Sequence, residues 1–335
     1  MVKKGWKSLL VGTLASTLLL AGCGADSSTE ETGSSEDTQK TYKVGITQIA
    51  EHPSLDAAVD GFQKALEDKG LKVDYDPQNA QGDPNNNQTI ANNFVGDGVD
   101  LIFANSTPSA LSALNATADI PIVFTSVTDP VGAELVEAMD KPGPNITGTT
   151  DTHPDAIPNT VKFIAEHFPE AKKLGMVYNS GEQNSVAQVE LVEKALEGTG
   201  ITTELVSVST PAEVKQATEA LIGKADVLYI ITDNTVVSAL ESVIQVASDE
   251  DIPLFVGELD SVVRGGFAAY GFDYFDIGYE AGEMAAQILL GEKTAAELPV
   301  QYPQKLKLQI NKQAAEDMGI TLKPEWDEVA EYVNE

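Results

Sequence analysis

The sequence predicts an α/β protein made of two doubly wound lobes. Short apolar runs alternate along the chain with segments of helical periodicity, which is typical of a parallel sheet covered by helices. Residues 43–48 and 173–178 each predict a buried strand, followed by a polar loop and a helix that starts near Ser54 or Ser185. Two such loops facing each other would form a cleft at the carboxyl ends of the strands.

The first lobe follows from apolar runs separated by helix stops. Strands are predicted at 44–49, 71–74, 99–103 and 122–124, and helices at 56–69, around 92–95 and from Ser109 onward. Gly70 ends the first helix, because a glycine after the last periodic residue is a common helix stop. These alternating elements predict a doubly wound parallel sheet.

The second lobe repeats this scheme. Strands are predicted at 173–178, 203–208, 226–231, 252–255, 267–274 and 306–310, and helices at 185–197, 277–290 and 312–318. Residues 226–235 echo residues 100–107, which indicates two related lobes rather than an array of small repeats. The acidic tail, residues 324–335, is expected to pack through Trp326, Val329 and Tyr332.

Composition limits the partners. The chain has 335 residues, 42% of them hydrophobic, which is enough for two cores. Its formal net charge of −31 argues against nucleic acid and against an anionic membrane surface, because like charges repel.

The first 23 residues predict an export signal. Three lysines precede the apolar run 9–20, which is short for a membrane span but typical of a signal peptide. Leu20-Ala21-Gly22-Cys23 resembles the lipobox of bacterial lipoproteins, which implies lipidation of Cys23 on the outer face of the cytoplasmic membrane. The alternative is an ordinary signal peptide with an incidental cysteine. Residues 24–41 are polar and predict a disordered tether.

The sequence offers few residues from which a catalytic site could be formed. The three histidines are far apart and Cys23 is the only cysteine, so neither a zinc site nor a cysteine nucleophile is indicated. Phosphate-binding and dinucleotide-binding glycine loops and the nucleophile elbow are absent from the sequence. We therefore predict a protein that is not an enzyme and that needs no metal or cofactor.

Several motifs resemble the type I periplasmic-type solute-binding proteins of ABC importers. The motifs are Lys43-Val44-Gly45-Ile46, Thr125-Ser126-Val127-Thr128-Asp129-Pro130-Val131, Asn145-Ile146-Thr147-Gly148, Tyr178-Asn179-Ser180-Gly181-Glu182-Gln183-Asn184-Ser185 and Gly271-Phe272-Asp273-Tyr274. The likeness covers residues 42–325 and is strongest to a lipoprotein branch with tryptophan- and tyrosine-binding members.

This resemblance implies an organisation and a function. Two Rossmann-like lobes, 42–148 plus 273–301 and 149–272 plus 302–335, would be joined by three crossovers. A monomer anchored through Cys23 would capture an aromatic L-amino acid (tryptophan, tyrosine or phenylalanine) and deliver it to ABC permease subunits. The residues alone support only a small polar or zwitterionic ligand. Another amino acid, a nucleoside, a surface sensor or adhesin role, and an exported hydrolase remain alternatives.

In this topology the ligand contacts loops at the carboxyl ends of strands and the crossovers. The candidate ligand-binding residues are His52, Ser54, Asn105, Ser126, Thr128, Asp129, Asp151, Asn184, Ser185, Asp233, Asn234, Glu258, Phe272 and Asp273. A zwitterion needs donors for its carboxylate and an acid for its ammonium. Asn184 and Ser185, at a helix start, suit the carboxylate. The sequence leaves the acid open among Asp129, Asp151, Asp233, Glu258 and Asp273.

Each candidate also has a structural interpretation. Asn184 and Ser185 could only cap a helix, and Asp129 before Pro130 could only start a turn. Phe272 could belong to the core, while His52 and Glu258 could be solvated loop residues.

Overall fold

The computed structural model describes residues 40–334, which form one compact unit. The predicted signal peptide, Cys23 and most of the tether lie outside the described residues. Among those described, no helix combines the length and the apolar character that crossing a membrane requires.

Lobe one is built on a five-stranded parallel sheet. Its strands are β1 (Thr41–Gln48), β2 (Lys72–Asn79), β3 (Leu101–Asn105), β4 (Ile122–Val127) and β5 (Ile146–Thr150), in the order β2-β1-β3-β4-β5. Its first helices are α1 (Pro53–Asp68), α2 (Pro84–Asp97) and α3 (Thr107–Ala116). Strands β3, β4 and β5 are buried along their whole length, as expected of a sheet covered on both faces.

Lobe two is built on a seven-stranded sheet. Its strands are β6 (Lys173–Asn179), β7 (Thr202–Val208), β8 (Val227–Ile230), β9 (Leu254–Val256), β10 (Ala268–Gly271), β11 (Lys307–Asn311) and β12 (Ala330–Val333), in the order β12-β11-β10-β9-β8-β6-β7. Only the β10–β11 pair is antiparallel. The helices are α4 (Ala156–His167), α5 (Gln183–Leu196), α6 (Val214–Glu219), α7 (Asn234–Val237), α8 (Leu240–Asp249), α9 (Leu259–Arg264), α10 (Tyr274–Leu289), which packs on lobe one, and α11 (Lys312–Asp317).

The predicted α/β fold with two doubly wound lobes is confirmed. The same hydrogen bond from an aspartate side chain to the backbone of the neighbouring strand occurs in both lobes. In lobe one, Asp100 accepts a bond of 2.8 Å from the backbone N–H of Lys43. In lobe two, Asp226 accepts bonds of 2.7 and 2.9 Å from the N–H groups of Lys172 and Lys173. Each aspartate thus ties the start of its own strand to the neighbouring first strand.

Helix α10 links the lobes. It follows β10 of lobe two, yet it packs along α1 of lobe one. Gly61 and Gly278 allow this approach, because a Cβ atom on either would overlap backbone atoms of the opposite helix. The chain passes between the sheets three times, after β5, between β10 and α10, and before β11. The lobe boundaries drawn from the sequence stay a prediction. Strand β5 of lobe one continues to Thr150, beyond the boundary predicted at residue 148.

The C-terminal tail differs from its prediction. Trp326 is buried, with 1% of its surface exposed, but Val329 is 62% exposed, so the expected packing of Val329 is wrong. Residues 330–333 form β12, which the sequence analysis missed, since this acidic segment becomes a strand only by pairing with β11.

Candidate ligand-binding cleft

The wall of the cleft in lobe one consists of buried polar side chains at strand ends. Asn105, the last residue of β3, donates hydrogen bonds from its amide to Gln48 Oε1 at 3.1 Å and to the carbonyl of Leu55 at 2.8 Å. It thereby fixes the start of α1, where His52 and Ser54 are also buried. These hydrogen bonds hold the candidate residues that follow β1 close to Asn105 at the end of β3.

Two of the six described non-glycine residues with positive φ lie at the ends of β3 and β4. Ser106 has φ of 104° and Ser126 has φ of 56°, in the region that favours glycine. Such strain persists only when the surroundings impose it, and it clusters at ligand sites. The buried hydroxyls of Thr107 and Ser126 have no hydrogen-bond partner in the described part of the chain. They lie by the start of α3, whose Ser106 side chain makes no cap.

The wall in lobe two is organised by Glu182, which sequence reasoning did not include among the candidates. Its carboxylate accepts bonds from Asn184 Nδ2 (3.2 Å), Asn234 Nδ2 (2.5 Å), the N–H of Thr235 (3.1 Å) and the Thr235 hydroxyl (2.7 Å). Ser185 is also buried, and its oxygen lies 3.3 Å from Asn184 Nδ2. The Asn184 amide, which was predicted to bind the ligand carboxylate, therefore already donates to Glu182.

Asp233 is a second buried acid in this wall. It caps α7 by accepting from the N–H of Val236 at 2.8 Å, and it accepts from the N–H of Asn179 at 2.6 Å. Burial and the nearby Glu182 carboxylate raise the pKa of Asp233. Both of its oxygens are thus committed to backbone groups of lobe two.

The two lobes contact each other directly on one flank through Ser54 and Glu258. Ser54 Oγ donates to Glu258 Oε2 at 2.7 Å, and Ser261 Oγ lies 3.0 Å from the same oxygen. Glu258 is 3% exposed, and burial raises its pKa to about 7. The interpretation of Glu258 as a solvated loop residue is therefore wrong.

On the other flank, Gln188 of α5 connects the lobes. Its amide nitrogen lies 3.3 Å from Thr128 Oγ1 of lobe one and 2.5 Å from Thr232 Oγ1 of lobe two. Gln188 was also missed from the sequence, because one glutamine in the second turn of a helix resembles an ordinary surface residue.

Asp151 lies where the chain leaves β5 for lobe two. Thr128 Oγ1 and the Tyr274 hydroxyl donate to its two carboxylate oxygens at 2.9 and 3.0 Å. Burial raises the pKa of Asp151 to about 6 despite these donors. Among residues 40–334, no lysine or arginine forms an ion pair with Asp151 or Glu258.

His52 is buried at the lobe interface, with 4% of its surface exposed, so its interpretation as a solvated loop histidine is wrong. Neither ring nitrogen has a hydrogen-bond partner of good geometry among the described residues. Burial lowers the pKa of His52 to about 4, so the ring is neutral at physiological pH. Asn184 Oδ1, in the opposite wall, is likewise buried and unpartnered.

Three candidates have structural roles outside the buried cleft. The carboxylate of Asp129 accepts from the N–H of Gly132 at 2.8 Å and closes a turn. Asp273 is exposed and caps α10 through the N–H of Phe275 at 3.0 Å. Phe272 stacks on Tyr274, with ring centroids 5.5 Å apart, in a small core with Ala58 and Ile277.

A cavity of about 270 Å³ lies between the two lobes. Lobe one contributes Ile49 and Gln81 to its wall, and lobe two contributes Glu182, Pro211 and Thr235. In the described part of the chain, no three His, Cys, Asp or Glu side chains are grouped so as to hold a metal ion.

A sequence model of the ABC transporter substrate binding protein family matches residues 43–333. The chain belongs to this family. A tyrosine-binding protein of Clostridioides difficile (strain R20291) is 42% identical over 310 residues, covering 91% of this chain and 89% of the relative. As an ABC substrate-binding protein with the type I periplasmic-binding fold, the chain binds a small molecule, is not an enzyme and acts outside the cytoplasm.

Two solved structures indicate the arrangement of the lobes in this ABC substrate-binding protein. A domain from Streptococcus pneumonia in complex with L-Trp is 32% identical and gives a TM-score of 0.83, covering 88% of this chain and 100% of that one. The ligand-free, open structure of a substrate-binding protein with adhesive properties from Clostridium difficile is 40% identical but gives only 0.64, covering 87% and 99%. The lobes here are thus arranged more as in the L-Trp complex, in agreement with the contacts on both flanks.

Proposed function

We propose that the protein captures an aromatic L-amino acid between its two lobes and delivers it to an ABC permease. The observation that carries this proposal is a closed cleft in which, among residues 40–334, buried acids have no cation in an ion pair and buried hydroxyls have no hydrogen-bond partner. A zwitterion supplies the missing charge and the missing hydrogen bonds together. The aromatic side chain is supported by the tyrosine-binding relative and by the L-Trp complex of the streptococcal structure.

Asp151 is our choice for the acid that binds the ligand ammonium. It is buried without a cationic partner, while Thr128 and Tyr274 hold its carboxylate in place. Asp233 has both oxygens bound to backbone N–H groups, and Glu258 is engaged in the contact between the lobes. Asp129 and Asp273 stabilise a turn and a helix start.

We assign the ligand carboxylate to the start of α3 rather than to Asn184 and Ser185. The first turn of a helix offers unpaired N–H groups and the positive end of the helix dipole. At α3 these groups lie beside the unpartnered hydroxyls of Thr107 and Ser126. At α5 the Glu182 carboxylate already accepts from the Asn184 amide and would repel a second anion.

The remaining candidates form the rest of the proposed site. His52, Asn105, Asn184, Ser185 and Asn234 are buried at the facing ends of the two sheets. Ser54, Thr128 and Glu258 hold the lobes together around the ligand. Phe272 supports the site from the small core that it forms with Ala58, Tyr274 and Ile277.

The anchor is the second part of the proposal. The apolar run 9–20 and the sequence Leu20-Ala21-Gly22-Cys23 support lipidation of Cys23, and residues 24–41 would act as the tether. The protein would then be a monomer on the outer face of the cytoplasmic membrane, next to its permease.

A binding screen of the purified protein tests the ligand class. L-Tryptophan, L-tyrosine and L-phenylalanine should each raise the melting temperature by a few degrees when present at about 100 times the dissociation constant. Calorimetry should then give one site per chain. A response to nucleosides or to other amino acids, without any response to the three aromatic ones, would refute the aromatic assignment.

A surface adhesin is a second candidate function, because one relative is described as having adhesive properties. Binding of the purified protein to host cells, measured with and without amino acid, would test it. If amino-acid transport requires the protein and the protein does not bind to host cells, the adhesin function is excluded.

A further inference from the structure

The side chain of His52 is buried without the hydrogen bonds that its ring needs. It is 4% exposed, and both Nδ1 and Nε2 lack a partner among residues 40–334. Asn234 of lobe two lies near enough to the ring to act as an acceptor that favours its protonated form, but among residues 40–334 no group donates to the accepting ring nitrogen. Leaving a buried polar atom unpaired is costly, so the ring is suited to a partner that enters with the ligand.

The order of the strands sets where that partner lies along the ligand. Asp151, Thr107 and His52 follow β5, β3 and β1, and Ser126 lies at the end of β4; these four strands are successive neighbours in the sheet in the order β5, β4, β3, β1. Three strand spacings of about 4.8 Å separate the two ends of this row by roughly 14 Å. An extended tyrosine with a hydrogen bond of about 2.8 Å at its ammonium and another at its phenol spans a similar distance. With the ammonium at Asp151, the phenol oxygen reaches the His52 ring, and the indole N–H of tryptophan, which lies nearer to Cα, approaches it less closely.

We propose that His52 forms a hydrogen bond with an O–H or N–H group on the aromatic ring of the ligand, so that the protein prefers tyrosine and tryptophan over phenylalanine. This inference rests on the proposed function, since it presumes an aromatic amino acid in the cleft. A neutral imidazole accepts at one nitrogen and donates at the other. A phenol or an indole N–H can donate to the accepting nitrogen, whereas phenylalanine leaves it unpaired.

The state of the ring agrees with this role. Burial lowers the pKa of His52 to about 4, so an accepting nitrogen is present throughout the neutral range. Asn234, Asp56 and Glu182 favour protonation of the ring, Arg264 opposes it, and desolvation by burial outweighs the groups that favour it. The preference should therefore be constant between about pH 6 and pH 8.

Calorimetry with L-tyrosine, L-tryptophan and L-phenylalanine on the purified protein and its His52→Phe variant tests the inference. In the unaltered protein, tyrosine and tryptophan should bind about 10- to 100-fold more tightly than phenylalanine. His52→Phe should remove this difference by weakening the first two while phenylalanine binding persists. His52→Gln should restore part of it, because an amide can also hydrogen-bond. His167→Phe, at the end of α4 and outside the cleft, is the matched control and should keep the preference.

The outcomes separate the two proposals. Equal affinity for the three amino acids in the unaltered protein, or a His52→Phe variant that keeps the full preference, would overturn the role of His52 alone. An equal loss of all three ligands in His52→Phe and His52→Gln would show a purely structural residue and overturn it as well. If none of the three binds the unaltered protein, the proposed function itself is wrong, and the role of His52 falls with it.

Discussion

Ser54 of lobe one donates a hydrogen bond of 2.7 Å to Glu258 of lobe two, across a gap of 204 residues in the sequence. The bond joins the two lobes directly, so opening of the cleft would break it. Ligand binding and lobe closure should therefore depend on this pair.

Ser54→Ala should weaken amino-acid binding by about tenfold, since the closed state loses one buried hydrogen bond between the lobes. Ser261→Ala is the matched control, because Ser261 contacts the same Glu258 oxygen from within lobe two. Calorimetry on both variants would measure the difference. An equal effect of the two substitutions would contradict a role in closure.

Asp151→Asn should reduce affinity by about 100-fold, because the ligand ammonium loses its only proposed anionic partner. The fold should persist, since an amide oxygen can still accept from Thr128 or Tyr274. Tyr274→Phe removes one supporting bond and should cost less. Were Asp151→Asn to bind as tightly as the unaltered protein, the ammonium would have to lie elsewhere.

The stability of the ligand-free protein should fall between about pH 5 and pH 7.5 through Glu258. Its pKa is raised from 4.5 to about 7 in the folded state, so in this range the folded protein binds more protons than the unfolded chain. The free energy of unfolding therefore decreases as the pH rises. Thermal unfolding at both pH values should show a smaller decrease for Glu258→Gln than for the unaltered protein. Identical pH profiles would argue against the buried, protonated acid.

Affinity for the amino acid should rise over the same pH range through Asp151. The pKa of Asp151 is about 6 without ligand, and an ammonium partner favours the ionised form. Binding at pH 5 should thus be weaker than at pH 8 and should take place with release of a proton. Calorimetry in buffers of different ionisation enthalpy would detect that proton, and Asp151→Asn should abolish it.

Gly278→Ala should destabilise the protein by about 1 to 3 kcal/mol, because the new methyl group overlaps the backbone of Ala58 where α10 meets α1. Gly96→Ala is the contrasting case. Gly96 lies inside α2, and a Cβ there would meet no atom within 4 Å, so alanine should stabilise by about 0.5 to 1 kcal/mol. Denaturant unfolding of both variants would show whether the two effects have opposite signs.

Much of the fold and part of the site follow from local sequence. Buried strands such as β3 and β4 begin as apolar runs, and the polar residues at their ends must lie at one edge of a parallel sheet. His52 and Ser126 were predicted on this basis, whereas Asp151 was predicted from the crossovers that the family resemblance implies. The sequence also marked the internal duplication, since Asp100 and Asp226 precede equivalent strands.

The residues that were missed depend on distant partners. Glu182 is buried only because Asn234 and Thr235, about fifty positions later, surround its carboxylate. Gln188 bridges the lobes through one residue on each side, which helix periodicity does not reveal. The short strand β12 exists only through its partner β11.

The position of α10 sets an order in which the chain can be completed. Residues 41–150 contain every strand of lobe one, yet the face of α1 stays uncovered until residues 274–289 have been synthesised. Strands β6 to β10, in contrast, come from one continuous stretch. The amino-terminal lobe is therefore begun first and finished after much of the other lobe is already present, so a chain that stops before α10 would expose an apolar surface to chaperones and proteases.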